Sequence, residues 1–168
     1  PPFAKFTPSE RQHYSKSKIV LRANTKACEM FLRTIPHLGP RACFGIVAPL
    51  GLLHSPEATG LRRELLANFE LAEIDIFEDQ LFATGEPETV VILGRRKARR
   101  SAPSQVSFRR VLNSSMDAFR SSFTFSCEQI VKTDRFKAPP IYDMRVPLLD
   151  SVWAYLRGGP TVETVADV

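Results

Sequence analysis

Two strand-forming stretches, Phe69–Phe77 and Glu88–Gly94, follow one another with no helical pattern between them, and this narrows the folds open to the chain. Phe69–Phe77 (FELAEIDIF) alternates apolar and acidic residues, the period of a strand with one covered face. Glu88–Gly94 (ETVVILG) is β-branched and apolar, and Glu78 to Pro87 reads as a loop holding Leu81 and Phe82. Strands joined without a crossover helix pair antiparallel if they are neighbours, because a parallel pair needs a connection of a dozen or more residues.

Upstream, Ala42 to Pro49 is apolar at every position, which predicts a strand buried on both faces, as in a parallel sheet covered by helices. Ser55 or Glu57 begins a second helix, with Leu61, Leu65, Leu66 and Phe69 as its buried stripe and Arg62-Arg63 on its wet side. A longer helix is expected from about Asn24, because Ala23, Ala27, Met30, Phe31, Ile35 and Leu38 recur at three- and four-residue intervals and Gly39-Pro40 would end it. Before it, Thr7-Pro8-Ser9-Glu10 has the form of a capping box, with Thr7 as cap and Glu10 three positions on. From residue 8 to 97 the order is helix, strand, helix, strand, strand, which is half of an α/β layered domain.

Pro1-Pro2-Phe3 cannot lie inside a helix or central strand, since proline fixes φ, lacks an N–H and pushes its predecessor toward extended conformations. It reads as a stiff loop with unpaired carbonyls beside an aromatic ring, suited to gripping something flat and polar; the bland alternative is an exposed terminus. Residues 4–22 are polar and basic, and Lys5, Lys16 and Lys18 are candidate phosphate contacts, a solvated loop being the alternative.

At 168 residues and 43% hydrophobic content the chain can bury a core. No apolar run reaches the roughly 18 residues of a membrane span, and no signal-peptide pattern occurs, so a soluble, cytoplasmic protein is expected. Cys28, Cys43 and Cys127 are widely spaced without a C-x-x-C pair or clustered histidines, so they are read as buried, reduced, small apolar residues rather than a disulfide framework or zinc site. His54 has no partner for a metal site or triad and is read as a loop histidine. A net charge of +5 and a pI near 9.4 favour an anionic partner, nucleic acid first.

The ordered series of motifs resembles the later half of the amino-methylating DNA adenine methyltransferases. It runs from the Pro-Pro-Phe loop through Phe31-Leu32-x-x-Ile35-x-x-Leu38-Gly39 and Gly45-Ile46-Val47-Ala48-Pro49-x-Gly51-x-Leu53. It continues with Leu61-Arg62-x-x-Leu65-Leu66, Ile74-x-x-Phe77, Phe82-Ala83-Thr84-Gly85 and Thr89-Val90-Val91-Ile92-Leu93, and so covers about residues 1–97. The resemblance implies a Rossmann-like fold, S-adenosyl-L-methionine as methyl donor and DNA as partner. In that family an Asn (or Asp or Ser)-Pro-Pro-aromatic loop holds the exocyclic amine of a flipped adenine. An amine conjugated with the ring is a poor nucleophile, and accepting its two protons favours the tetrahedral, more nucleophilic nitrogen. By resemblance Pro1 contributes the carbonyl, Pro2 stiffens the turn and Phe3 stacks on the base.

The family's leading polar residue does not precede Pro1 here, and no G-x-G pattern occurs in these residues. The chain is therefore read as part of a larger enzyme whose cofactor-binding half comes earlier, and as inactive by itself. Beyond residue 94 the run Arg95, Arg96, Lys97, Ala98, Arg99, Arg100 would track DNA phosphates or form a solvated strand end, and Ser101–Ser104 reads as linker. A short helix is expected around Phe108–Phe119, an apolar stretch at Phe123–Val131, and a further helix from Pro147 to Gly159 with Trp153 in a core or interface. The division is thus residues 1–97 as the C-terminal half of a catalytic domain, and residues 98–168 as a basic linker and mainly helical connector toward a target-recognition domain. The sequence reading is an adenine-N6 DNA methyltransferase segment of the restriction-modification or phage-defence kind. The alternatives are a methyltransferase acting on RNA or on protein glutamine, and a non-catalytic nucleic-acid-binding module that keeps the fold.

Overall fold

The computed structural model describes residues 6–16, 37–40, 42–78, 88–97, 105–149 and 152. Five strands form one mixed sheet: β1 (Cys43–Pro49), β2 (Phe69–Phe77), β3 (Thr89–Arg96), β4 (Gln105–Val111) and β5 (Cys127–Lys132), in the order β1-β3-β2-β4-β5. Among the described residues the α-helices are α1 (Pro8–Lys16), α2 (Thr59–Asn68) and α3 (Met116–Ser122).

The expected antiparallel pair is present: β2 and β3 run antiparallel, Ile74 opposite Ile92 and Ile76 opposite Val90. On its other side β3 pairs antiparallel with β1, Ile46 opposite Ile92 and Ala48 opposite Val90. β2 and β4 are parallel, and β5 closes antiparallel on β4. β1, β2 and β4 therefore point the same way, and their C-terminal ends share one edge of the sheet.

One face of the sheet carries the core. Ile46, Ala48, Ile74, Ile76, Val90, Ile92, Val106 and Phe108 pack there with Leu61, Leu65 and Leu66 of α2. Period-two alternation in the strands and three-to-four spacing in the helix bring these residues to one layer. The opposite face holds a smaller cluster of Phe77, Val111 and Met116, edged by Val91, Phe119 and Phe125.

Four expectations are corrected. β1 is bonded antiparallel and stands at the end of the sheet order, and burial is confined to Ile46, Ala48 and Pro49 in its second half while Cys43 is exposed. A strand with a bonded neighbour on one side only leaves its first residues uncovered whatever their hydrophobicity, so composition overstated its burial. Arg62 lies on the buried side of α2 with no exposed surface, because backbone carbonyls rather than water solvate it. Cys43 is exposed and Cys127 half-buried, neither of them in a disulfide, and Cys28 lies outside the described residues. Finally, the stretch expected to be helical from Phe108 is strand to Val111, and helix begins with a 3-10 turn at Asn113–Ser115 that leads into Met116–Ser122. Beyond residue 97 the described chain supplies β4 and β5 as well as this helix. The alternation in Gln105–Val111 (QVSFRRV) is masked by two adjacent arginines, whose stems cover both faces.

The capping box forms as expected: the Thr7 amide donates to Glu10 Oε2 at 2.7 Å and the Glu10 amide to Thr7 Oγ1 at 3.3 Å. The long helix expected from Asn24 and the helix from Pro147 to Gly159, with Trp153, lie wholly or largely outside the described residues. No helix among the described residues is long and apolar enough to cross a membrane.

Candidate functional site

In open α/β sheets the carboxyl ends of parallel strands form the crevice where ligands bind. Here that edge is built by two loops that meet. After β1 the chain turns tightly through Leu50–Leu53 and His54; after β5 it turns through Thr133–Lys137 and returns along residues 138–147. Arg62 binds the two together. Its guanidinium donates to the carbonyls of Leu52 (3.0 Å) and Ser55 (2.8 Å) on one loop, and of Ile141 (2.6 Å) and Tyr142 (2.8 Å) on the other. The Met144 amide adds a bond to the Leu53 carbonyl at 2.9 Å. Burial pushes the Arg62 pKa down, while the nearby Asp143 carboxylate opposes that shift. Tyr142 sits at φ 54°, a left-handed conformation that such a fixed carbonyl holds in place.

Between these loops and the sheet lies a cavity of about 740 Å³. Leu50, Ile76 and Ile141 give it apolar walls, and Arg110, Arg135 and Arg145 give it charge, with His54 at its margin. Asp143 also lines it, held by Arg145 through Nε–Oδ1 at 3.0 Å, Nη2–Oδ2 at 2.6 Å and a backbone amide bond at 2.9 Å. Burial pushes the Asp143 carboxyl up, but the Arg145 hydrogen bonds and charge win and hold it below the ordinary carboxylate value. Arg110 donates to the Val146 carbonyl and stands 3.5 Å from Glu78 Oε1. His54 Nδ1 and Arg110 Nε are buried with no hydrogen-bond partner.

A second charged group lies on the other face. Arg109 forms a two-point bond with Asp75 at 2.7 and 2.9 Å, reaches Glu73, and stacks 4.0 Å from the Phe125 ring centroid. The Asp75 hydrogen bond raises the Arg109 pKa. Its donors are directed inward to these acids, so it reads as a structural brace.

Of the site residues expected from sequence, Pro1, Pro2, Phe3, Lys5, Lys18, Arg99 and Arg100 lie outside the described residues. Lys16 is the exposed last residue of α1. Arg95, Arg96 and Lys97 come together at the sheet edge opposite the cavity, where Arg95 faces Cys43 and Arg96 faces Phe69. Arg95 pairs with Glu70 at 2.6 Å and Arg96 donates to the Leu38 carbonyl. Lys97 Nζ caps the end of α2 through the carbonyls of Leu66 (2.6 Å) and Ala67 (3.2 Å), and burial lowers its pKa. The cavity itself was not legible in sequence: His54, Arg110, Arg135 and Arg145 come from four separate segments, and no local spacing connects them.

No protein-family profile matches the chain, and no curated protein does. Solved structures do. A chain of a type I restriction-modification system, studied for complex assembly and conformational transition, superposes with a TM-score of 0.63 over 94% of this chain, at 17% identity. The fold is shared with a portion of that chain. A modification subunit assigned to a type I restriction enzyme from Vibrio vulnificus YJ016 gives 0.61 over 92% of this chain at 14% identity. The type I restriction-modification methyltransferase subunit from Streptococcus thermophilus gives 0.55 over 86% at 18% identity. This chain spans 40%, 38% and 35% of those three chains, so the shared fold is that of a portion of each.

Proposed function

We propose that the chain is the C-terminal part of the catalytic domain of a restriction-modification DNA methyltransferase, one that transfers a methyl group from S-adenosyl-L-methionine to N6 of an adenine turned out of the duplex. The observation that carries this reading is topological. β3 inserts antiparallel between β1 and β2, the strands that flank α2 in sequence, and the whole arrangement superposes on a type I restriction-modification chain over 94% of this chain's length. Pro1, Pro2 and Phe3 keep the roles given by resemblance: carbonyl acceptor, stiffener and stacking face. Lys5, Lys16, Lys18, Arg95, Arg96, Lys97, Arg99 and Arg100 are proposed phosphate contacts outside the reacting centre.

The described cavity does not fit the methyl donor. Its three guanidiniums would repel a sulfonium cation, so the cofactor is assigned to the other half of the catalytic domain and no step is routed through this cavity.

The test is methyl transfer from labelled S-adenosyl-L-methionine to unmodified genomic DNA by the full-length protein, followed by nucleoside analysis. N6-methyladenine is the expected product. Labelled RNA or protein in place of DNA would reassign the substrate, and failure to bind the cofactor at all would favour a non-catalytic nucleic-acid-binding module.

A further inference from the structure

We infer that the cavity between the Leu50–His54 loop and residues 138–147 is a binding site for a phosphate of a nucleic-acid strand, with Arg135 and Arg145 as the charged wall and Arg110 as its floor. The inference rests on the nucleic-acid substrate proposed above and adds a place and residues to it.

Charge comes first. Three arginines line the space, against one lining carboxylate, Asp143, and Glu78 beside Arg110, so the lining is net cationic even with both acids ionised. Guanidinium groups are the side chains best matched to phosphate oxygens, through paired N–H donors in a plane. The bidentate Asp143–Arg145 pair leaves one edge of the Arg145 head accessible, its side chain being 56% exposed, and fixes its direction. Size comes second. About 740 Å³ is more than one phosphate needs, and the apolar wall of Ile141, Val146 and Leu50 suits the adjoining sugar.

Position is the third argument. The cavity opens at the carboxyl ends of β1, β2 and β4, and Ile76 and Arg110, paired across β2 and β4, form part of its lining. The site is also preformed. Arg62 locks the two loops with four carbonyl bonds, so a ligand meets a wall that is already ordered. Arg110 Nε and His54 Nδ1, buried without partners in the same lining residues, are unmet hydrogen-bonding capacity of the kind a ligand completes.

The experiment measures duplex DNA binding by the full-length protein, without cofactor, over a salt series, for the parent sequence and for Arg135→Gln, Arg145→Gln, Arg135→Lys and Arg63→Gln. Arg63 is an exposed charge on the outer side of α2 and controls for net charge alone. Arg135→Gln and Arg145→Gln should each weaken binding roughly three- to tenfold at low salt. Each should also reduce the slope of log affinity against log salt by about 1. Arg135→Lys should keep most of the slope, and Arg63→Gln should leave it unchanged.

Circular dichroism and thermal unfolding of each variant separate a binding loss from a folding loss, and Arg135→Lys keeps the question open if a Gln variant fails to fold. Unchanged slopes for both Gln variants overturn the inference, as does a loss confined to free nucleotide or inorganic phosphate with DNA binding intact. Because the binding experiment contains no cofactor, it is independent of the labelled-cofactor transfer assay: a protein that binds DNA through these arginines but transfers no methyl group in that separate assay would refute the proposed reaction while upholding the site.

Discussion

Arg62 Nε donates to the carbonyl oxygen of Tyr142 at 2.8 Å, joining positions 80 residues apart in the chain. Together with the bonds to Leu52, Ser55 and Ile141, this makes one buried side chain the joint between the first half of the sheet and the segment that follows its last strand. Arg62→Ala should destabilise the fold by about 3 kcal/mol or more, since four carbonyls, one buried and three part-buried, lose a charged donor at once. Arg62→Lys should recover only part of this, because an ammonium cannot serve two loops with a planar fork. Urea denaturation of the three proteins measures the difference; equal midpoints would show that the loops hold without the joint.

Asp143 sets an acid limit on the same region. Its folded pKa lies below its unfolded value, so the stability it contributes is fully present above the ordinary carboxylate range, near 3.9, and is lost as pH falls through the lowered folded value. Thermal stability of the parent should therefore fall more steeply below about pH 4 than that of Asp143→Asn, which has no carboxylate to protonate there. Parallel curves for the two proteins would contradict the assignment.

Gly94 is required by space. A Cβ there would sit 2.8 Å from Phe44 Cε1 and 2.9 Å from the Glu70 carbonyl oxygen, and the second neighbour is backbone of the adjoining strand. Gly94→Ala should cost about 1–3 kcal/mol by overpacking. Gly45→Ala meets only Leu93 Cδ2, at 2.9 Å, the end of a flexible side chain, and should cost less. Chemical denaturation of the two variants side by side gives the ranking.

The Arg109–Asp75 pair braces the other face of the sheet, with the Asp75 side chain 8% exposed and that of Arg109 20%. Asp75→Asn should destabilise by about 2 kcal/mol, less than breaking a fully buried pair because Arg109 retains some water and Glu73. A double-mutant cycle with Arg109→Met should return a coupling energy well above zero. Additive effects would mean that the pair contributes geometry without net stability.

Thr7→Ala should weaken α1 by about 1 kcal/mol, the usual worth of an N-cap. A nine-residue helix with no buried residue depends on such local terms. Amide exchange should quicken in residues 9–16 and stay unchanged in β2 and β3.

Local patterns carried the elements of this protein a long way. The alternation in Phe69–Phe77 and the β-branched run Thr89–Leu93 specified two strands, and the absence of a helix between them specified that they pair antiparallel, because chain length alone forbids the parallel crossover. The capping box at Thr7 and Glu10 was equally readable, since both partners lie within one helical turn.

What the sequence could not convey depends on contacts between distant segments. That Arg62 faces inward, when its helix position beside Arg63 suggests water, follows from carbonyls supplied by residues 141 and 142, which no helical period encodes. That Gln105–Val111 is a strand parallel to β2 follows from its pairing register, because two adjacent arginines hide the alternation. The sequence by itself determined which stretches extend, which coil and how the central pair must run, because these follow from side-chain period and connection length. Only the tertiary structure decided that His54, Arg110, Arg135 and Arg145 share one cavity at the carboxyl ends of the parallel strands, because four loops and strands had to be folded onto one another before their charges could add.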